Sequence, residues 1–335
     1  MQDTHISLAH GNGGRFMREL IGDVFVRHLA NPLLNTRLDA VPIPIPKGCD
    51  EIMVTTDGFT VQPMEFSGGN LGSLAVHGTV NDLAVSGAIP CYLILNCFIE
   101  EGLEVVVLER IVMAMAQAAR EAGVVVVAGD TKVVPRGEGS GVYFATTGIG
   151  WRDPRAHLGM ERIHAGDQVL VSGPIGDHGT AVLLAREEFG LYGELQSDTA
   201  SVLPITRSLL NVPGLRFMRD PTRGGLATVA HELCHTTGLT IRLREVAIPV
   251  RDSVRAVCEI LGYDPLFLAC EGRVVAVVAE ESTPAALTAI NEATGGGAAL
   301  IGTCHAGQPW VILETELGGE RILEELEDDP LPRIC

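Results

Sequence analysis

The sequence predicts an α/β fold made of two domains and a short C-terminal tail. Patterns typical of buried strands alternate with patterns typical of amphipathic helices along most of the chain. The alternation breaks at Arg152-Asp153-Pro154, and it ends in an acidic segment followed by two prolines. We therefore expect a first domain over residues 1–153, a second over 154–322, and a mobile tail over 323–335.

The composition excludes several classes of function. A formal net charge of −18 disfavours nucleic acid and anionic membrane surfaces as partners. Charges interrupt the apolar segments before they reach the length of a membrane span, and the N-terminus does not resemble a signal peptide. None of the cysteines forms a CxxC pair, which argues against zinc-ribbon and iron–sulfur sites. We expect a cytoplasmic protein with reduced thiols.

The first domain begins with a glycine-rich loop that leads into a helix. Backbone amides in such a loop, here those of His10, Gly11 and Gly13, can face a phosphate group, although short loops of this kind are common. Beyond the loop we predict helices over 15–29, 71–86 and 105–122, and strands over 51–56, 89–98, 124–128 and 143–150.

Polar residues interrupt the apolar elements of this domain. Asp57 follows the first strand, where a metal ligand and an ordinary Asp-Gly turn are both open explanations. Asn81 and Asp82 lie in the middle of an apolar helix, which starts just after Asn70. Buried polar groups on such a helix need partners, and a magnesium ion would be one.

The motif Gly129-Asp130-Thr131-Lys132 follows the strand predicted over 124–128. Only Lys47 and Lys132 are lysines among the 24 basic residues of the chain. Because the pKa of lysine shifts on burial whereas arginine stays charged, Lys132 indicates a chemical role, with an ordinary surface lysine as the alternative.

In the second domain, a loop with Asp220, Thr222 and Gly224 leads into a helix that ends near Thr237. Glu271 precedes an apolar strand over 273–279, where it is either a base in a pocket or a strand-end carboxylate. Acidic and amide residues at the ends of elements, or interrupting apolar segments, together suit a Mg²⁺ ion that also binds the phosphates of a nucleotide. These residues are Asp57, Asn70, Asn81, Asp82, Asp130 and Asp220. The chain has no Walker A spacing, so a nucleotide fold here is not a P-loop.

Two further features concern metal and thiol chemistry. The segment His231-Glu232-Leu233-Cys234-His235 matches the HExxH pattern of zinc hydrolases, but no third ligand stands out, and we expect partly exposed helix residues there.

The chain stops on Cys335, after an extended proline-containing segment. This thiol is either the end of an untethered tail or a mobile reactive group.

Taken together, these motifs resemble the HypE family of hydrogenase maturation factors, in the superfamily of aminoimidazole ribonucleotide synthetase, selenophosphate synthetase and thiamine-monophosphate kinase. The resemblance covers essentially the whole chain, and the terminal Pro332-Arg333-Ile334-Cys335 separates this family from its relatives. It implies a two-domain PurM-like ATP-binding fold with a flexible C-terminal tail, a homodimer formed by the N-terminal domains, and ATP near that interface.

The resemblance also implies the reaction and its partners. Such proteins receive a carbamoyl group on the terminal thiol from the carbamoyltransferase HypF, and they use ATP and Mg²⁺ to dehydrate the thiocarboxamide to a thiocyanate. The cyano group then passes to iron on a HypC–HypD scaffold, as a cyanide ligand for the nickel–iron hydrogenase centre. An amide oxygen is a poor leaving group, so its phosphorylation before expulsion is chemically reasonable.

Carried over residue by residue, the resemblance gives Cys335, Lys132 and Glu271 catalytic roles. Glu271 would take protons from the carboxamide nitrogen and Lys132 would neutralise charge on its oxygen. The metal and the phosphates would be held by Asp57, Asp82 and Asp220, helped by Asn70 and Asp130, with Thr131 and Thr222 as phosphate contacts. The competing interpretations are a small-molecule kinase or synthetase of the same superfamily, a zinc peptidase, and an interaction protein that docks through its tail.

Overall fold

The chain divides into two units, one formed by the residues up to Leu83 together with Ala88–Arg152, and the other by Ala84–Gly87 and Asp153–Ile334. The computed structural model describes residues 3–12, 14–36, 38, 40–186, 190, 193–327, 331 and 334. Gly13 and Cys335, both singled out from the sequence, lie outside the described residues. Within the described ranges, every helix is too short or too polar to cross a lipid bilayer.

The first unit is built on a four-stranded sheet in the order β1-β6-β4-β5. The strands of this unit are β1 (Ile52–Phe59), β2 (Glu65–Phe66), β3 (Gly69–Asn70), β4 (Ala88–Glu100), β5 (Val125–Val134) and β6 (Val142–Arg152). Its helices are α1 (Gly14–Leu20), α2 (Arg27–Leu29), α3 (Leu71–Val85, whose last two residues belong to the second unit) and α4 (Val105–Ala122). A π-helical segment, Ile21–Val26, joins α1 to α2. Strands β2 and β3 form a separate two-stranded sheet.

Among the residues that the structure describes, helices cover one face of the four-stranded sheet and leave the other open. The helices α3 and α4 approach closely at Gly72, where a Cβ atom would lie 2.0 Å from the carbonyl oxygen of Ile111. On the opposite face, apolar side chains remain exposed, among them Val54 at 62% and Phe98 at 41%. Because side chains alternate between the faces of a strand, the buried Phe59 and the exposed Val54 are the expected result of one regular strand.

The second unit contains a seven-stranded sheet in the order β13-β12-β9-β11-β7-β10-β8. Its strands are β7 (Gln168–Val171), β8 (Leu215–Arg219), β9 (Thr240–Arg244), β10 (Val275–Val278), β11 (Ala299–His305), β12 (Val311–Glu314) and β13 (Glu320–Ile322). Its helices are α5 (Asp177–Ala185), α6 (Leu203–Leu209), α7 (Gly225–Thr237), α8 (Asp252–Leu261) and α9 (Thr283–Thr294). Buried side chains of α7, such as Leu233, form a core with those of the central strands, such as Val277.

Most helices follow the sequence patterns, but the strands of the four-stranded sheet extend further than predicted, most of all at the C-terminal ends of β1 and β5. Strand β1 continues to Phe59 and β5 continues to Val134, so Asp57 and Asp130 lie inside strands and not beyond their ends. The reason is backbone pairing, because Asp57 is paired with Thr146 of β6 and Asp130 with Asn96 of β4. Ladder hydrogen bonds need no apolar side chain, so the hydrophobic pattern ends before the strand does.

Candidate functional site

Asp57 and Asp82 are neighbours on the helix-covered face of the first unit. Thr55 lies two residues before Asp57 on the same face of β1, and its hydroxyl donates to Oδ2 of Asp82 on α3 at 2.8 Å. Oδ1 of Asp57 accepts from the backbone N–H of Gly58 at 2.7 Å. Both carboxylates are half-buried. They form a pair of hard oxygen donors of the type that Mg²⁺ prefers.

The two asparagines predicted near these carboxylates have different surroundings. Asn81 is 1% exposed and lies on the buried side of α3. Oδ1 of Asn70 accepts from the backbone N–H groups of Gly72 at 2.9 Å and of Ser73 at 3.1 Å, so it caps the N-terminus of α3. Because these two bonds use the lone pairs of that oxygen, the amide N–H groups of Asn70 are better suited to a phosphate than its oxygen is to a metal.

Asp130 and Lys132 are separated from the Asp57–Asp82 pair within one chain. Their side chains form an ion pair, with Nζ 2.9 Å from Oδ2, and both are more than half exposed. Strands β1 and β5 are the two edges of the four-stranded sheet, which separates Asp57 and Asp130 by about 14 Å. The buried Thr131 between them points to the other face. A single ion therefore cannot contact Asp57 and Asp130 of the same chain.

The described part of the glycine-rich loop packs on β5. A Cβ atom at Gly11 would lie 2.7 Å from the backbone nitrogen of Val133, which accounts for a glycine at this position. The ring of His10 is fully buried, and its Nδ1 atom accepts from the backbone N–H of Ser7 at 3.0 Å. His10 thus holds the loop in place through its side chain.

A mostly apolar cavity of about 200 Å³ opens beside this strand. Its wall combines residues of the first helical stretch, such as Phe25 and Leu29, with Gly129, Asp130 and Thr131 of β5. Whole drug-sized ligands generally occupy larger cavities, of roughly 300 Å³ or more. The cavity is therefore suited to one part of such a ligand, with polar groups of β5 at its border.

In the second unit, the loop after β8 leads into α7 through two glycines. Gly224 and Gly225 have φ angles of 68° and 60°, a backbone region that residues with a Cβ rarely adopt. A Cβ atom at Gly225 would also lie 2.6 Å from the carbonyl oxygen of Leu268. Asp220 of the same loop is 4% exposed, and Thr222 is half-buried.

Glu271 is buried, and the backbone beside it is held by a second carboxylate. Its backbone N–H donates to Oδ1 of Asp198 at 3.1 Å, and that of Gly272 donates to Oδ2 at 3.3 Å. The backbone N–H of Cys270 donates to the carbonyl oxygen of Pro221 at 2.9 Å, which joins this segment to the loop of Asp220. Burial raises the pKa of Asp198, while Arg273 and the two amides oppose the shift.

The C-terminal end of the described chain lies against the N-terminus of α5. Nε2 of His178 donates to the carbonyl oxygen of Ile334 at 2.5 Å, and Ile334 and Leu331 are each 3% exposed. The backbone N–H of Gly179 donates to the carbonyl oxygen of Ala269 at 3.1 Å, so α5 packs on the segment that carries Glu271. Cys335 is the next residue after Ile334.

A cavity of about 560 Å³, lined mainly by polar and charged residues, lies beside this arrangement. Oδ2 of the buried Asp177 accepts from Nε of Arg251 at 2.9 Å and from Nη2 of Arg273 at 3.3 Å. Burial raises the pKa of Asp177, with Asp198 as a smaller cause in the same direction, while the two arginines oppose it. The cavity wall therefore carries negative and positive side chains that form ion pairs with one another.

Sequence reasoning did not assign roles to several residues that shape this region. Asp177 and His178 belong to the motif Gly176-Asp177-His178-Gly179, and two adjacent polar residues at the start of an apolar helix were the signal available. Asp198 and Arg273 have no such signal, because their partners are far away in the sequence.

The comparisons with known families cover both units. The family model described as "AIR synthase related protein, N-terminal domain" matches residues 39–151, and the one described as "AIR synthase related protein, C-terminal domain" matches residues 164–311. These matches and the strand and helix content confirm the predicted α/β, PurM-like fold class.

Individual relatives match over nearly their full length. Carbamoyl dehydratase HypE of Azotobacter vinelandii is 44% identical, over 100% of this chain and 98% of its own. A crystal structure of hydrogenase maturation protein HypE in complex with ATP has a TM-score of 0.92 at 43% identity, over 98% of this chain and 99% of that one. A structure of a HypE–HypF complex has a TM-score of 0.80 at 40% identity, over 92% of this chain and 99% of that one.

Proposed function

The chain belongs to the HypE family of carbamoyl dehydratases in hydrogenase maturation, and we propose that it carries its substrate on its own terminal thiol, Cys335. The carbamoyl group is bound to sulfur as a thiocarboxamide, and ATP-dependent loss of water converts it to a thiocyanate. The product supplies the cyanide ligand of a nickel–iron hydrogenase.

The observation that carries this proposal is the contact between His178 and Ile334. It holds the penultimate residue of the chain at the N-terminus of α5, which packs on the backbone next to Glu271. A carrier thiol at the following position needs such an anchor, because a free end would sample a large volume and reach a reactive geometry rarely. The hydrogen bond from the His178 side chain to the Ile334 carbonyl is worth only about 1 kcal/mol, so the end of the chain can still depart and meet partners.

The reaction transfers one phosphoryl group and removes two protons. The carboxamide oxygen attacks the γ-phosphorus of ATP, ADP leaves, and a proton leaves the nitrogen. The carbon–oxygen bond then breaks, phosphate departs with that oxygen, and the second nitrogen proton is lost as the carbon–nitrogen triple bond forms. We assign proton removal to Glu271, and neutralisation of charge on the oxygen to Lys132.

We propose ATP and Mg²⁺ as the cofactors, held mainly by the first unit. Asp57 and Asp82 fit a magnesium ion because both are half-buried oxygen donors and Asp82 bonds to Thr55, two residues before Asp57 on the same strand face. Asp220 is assigned to the same metal and phosphate group. When bound, Mg²⁺ neutralises phosphate charge during the transfer. The cavity beside β5 suits the adenine ring, and Thr131, Thr222, Asn81 and the glycines at 11, 13 and 224 remain predicted phosphate contacts.

The separation of Asp130 and Lys132 from Asp57 favours a homodimer. The open sheet face that carries Asp130 and Lys132 also exposes Ile52, Val54, Ile89 and Phe98. An apolar face of this kind is stabilised when a second copy covers it. We propose that two copies pair through this face and that Asp130 and Lys132 act at that interface.

We further propose a HypF-like carbamoyltransferase as the partner that loads Cys335, and a HypC–HypD iron scaffold as the acceptor of the cyano group. The solved HypE–HypF complex supports the first partner, and the second is what the resemblance to the family implies. A cytoplasmic location suits the chemistry, since the reaction needs a reduced thiol and the cysteines among the described residues are all free.

An intact-mass measurement after carbamoylation and again after Mg-ATP tests the proposed reaction directly.

A further inference from the structure

Two histidines of α7 and one glutamate from the segment after β13 converge in the second unit. His231, His235 and Glu325 each offer one potential ligand atom, and these atoms lie within 4.8 Å of one another. Within the described ranges, no other group of three histidine, cysteine or acidic side chains converges in this way. The first two residues are the histidines of the HExxH match, and Glu325 is the third ligand that the sequence did not reveal.

Helix α7 fixes the positions of the two histidines, and a segment held to the core after β13 fixes that of Glu325. His231 and His235 are four residues apart on α7, which places both on one side of the helix, and their ring centroids are 5.8 Å apart. Glu325 follows Leu323, whose side chain is fully buried and whose backbone N–H donates to the carbonyl oxygen of Val311 at 2.9 Å. The glutamate is therefore delivered to α7 by a segment that is anchored in the core.

His231 carries a second, independent indication of a ligand. Its side chain is only 8% exposed, and its buried Nε2 atom makes no hydrogen bond of regular geometry among the residues that the structure describes, although the backbone of Leu323 and Glu324 lies beside the ring. A buried polar atom without a well-formed hydrogen bond destabilises the folded state. The expectation of two partly exposed histidines was thus wrong for His231, while His235 is exposed. A bound cation would satisfy the buried nitrogen.

We propose that His231, His235 and Glu325 bind a divalent transition-metal ion, with Zn²⁺ as the preferred ion, and that the ion fastens the start of the C-terminal segment to α7. Two imidazoles and one carboxylate form a common ligand set for zinc, with water in the fourth position. Ligand atoms of a tetrahedral zinc ion lie about 3.4 Å apart. Rotation of the exposed His235 and Glu325 side chains closes the remaining distance.

The arrangement supports anchoring and not peptide hydrolysis. In an HExxH hydrolase the glutamate acts as the general base beside the metal. Here Oε1 of Glu232 lies 3.4 Å from Nη2 of Arg219, so this carboxylate is engaged in an ion pair. An ion at Glu325 would instead fix the point from which the last ten residues, 326–335, extend, and these span at most about 35 Å.

The test is a Zn²⁺ titration of the full-length protein in excess Mg²⁺, in a Cys335→Ala background that removes the terminal thiol as a ligand. We expect one high-affinity ion per chain, by competition with a chromophoric chelator. His235→Ala and Glu325→Gln each weaken binding at least about tenfold. The exposed His305→Ala and the adjacent Glu324→Gln are matched controls and retain wild-type affinity. Unchanged affinity in the first two variants, or no binding by the parent protein, overturns the site.

Hydrogen exchange of residues 323–327 tests the anchoring role separately. Zn²⁺ slows exchange in this segment of the parent protein and leaves it unchanged in Glu325→Gln. If Zn²⁺ binds with the expected ligand dependence and exchange does not change, anchoring is overturned. His235→Ala and Glu325→Gln alter exposed side chains, so we expect the second unit to fold normally in both variants.

Discussion

Nε2 of His178 and the carbonyl oxygen of Ile334 are 2.5 Å apart, although the two residues are 156 positions apart in the sequence. Burial lowers the pKa of His178 to about 4, with the carbonyl of Ile334 as the opposing influence. The ring is therefore neutral at pH 7 and has one N–H group. Because Nε2 donates to Ile334, Nδ1 accepts from the hydroxyl of Ser197 at 2.8 Å, which fixes one tautomer.

Removal of this hydrogen bond should release the end of the chain. We expect His178→Ala to raise the rate at which iodoacetamide alkylates Cys335 by roughly twofold to tenfold, the range for loss of one hydrogen bond. Peptide-resolved mass spectrometry measures the rate, and His164→Ala, an exposed histidine of the same unit, is the control. The buried Cys270 reports general loosening of this unit. An unchanged rate at Cys335 would show that His178 does not restrain the tail.

The carboxylate pair of the first unit should determine the magnesium requirement. Asp57→Asn and Asp82→Asn each remove one negative charge from the proposed ion, so we expect at least about tenfold more Mg²⁺ to be needed for ATP binding. Calorimetric titration with ATP over a series of Mg²⁺ concentrations measures this shift. Asp50→Asn, at an exposed position just before β1, is the control and keeps the wild-type requirement. Equal requirements in all three variants would place the metal elsewhere.

The open face of the four-stranded sheet should hold the dimer together. Val54 is 62% exposed on this face, and Ile260 of the second unit is 66% exposed on α8. Val54→Asp places a charge in the proposed interface, and burial of an unpaired charge is strongly unfavourable, so we expect a monomer. Sedimentation velocity measures the oligomeric state of each variant. Ile260→Asp is matched in exposure and remains dimeric, and a dimeric Val54→Asp variant would exclude this face.

His77 should make the first unit sensitive to mild acid. Burial lowers its pKa from 6.5 to about 4, so between these values the unfolded chain binds a proton that the folded chain does not. The contribution of His77 to the free energy of unfolding is therefore highest above pH 6.5 and falls as the pH falls toward 4. Between pH 7 and pH 5 the loss from this group is about 2 kcal/mol.

Urea unfolding of the wild type and of His77→Leu at both pH values isolates this contribution. His178 and the buried carboxylates of the second unit contribute equally in the two proteins. We expect the wild type to lose about 2 kcal/mol more than the variant over this range. The same loss in both proteins would mean that His77 does not titrate as its burial indicates.

Local sequence patterns were sufficient to predict most elements of the first unit. The periodicity over 105–122 corresponds to α4 with the same bounds, and that over 71–86 corresponds to α3 within one residue. These helices are long and consist largely of apolar or strongly amphipathic residues, so neighbours along the chain determine them. The ends of β1 and β5 were placed too early, because strand length there depends on pairing with distant strands.

The candidate site was less accessible to sequence reasoning. Asp57 and Asp130 looked equivalent as carboxylates near strand ends, but only the strand order shows that they lie on opposite edges and faces of the sheet. The Asp198 side chain and the backbone of Glu271 meet across 73 residues, and Glu325 meets α7 after an even longer separation. Contacts of this kind arise from tertiary packing, which leaves no local signal in the sequence.

The central claim is tested most directly by the intact mass of the protein, taken after incubation with the carbamoyltransferase and its substrates and again after Mg-ATP. We predict the gain of one carbamoyl group and then the loss of one water, both on the peptide that ends in Cys335. Glu271→Gln should bind ATP and accept the carbamoyl group but retain the water, whereas Glu280→Gln, at an exposed position, behaves as the wild type. A wild-type protein that is never carbamoylated, or that keeps its water in the presence of Mg-ATP, would contradict the proposed reaction.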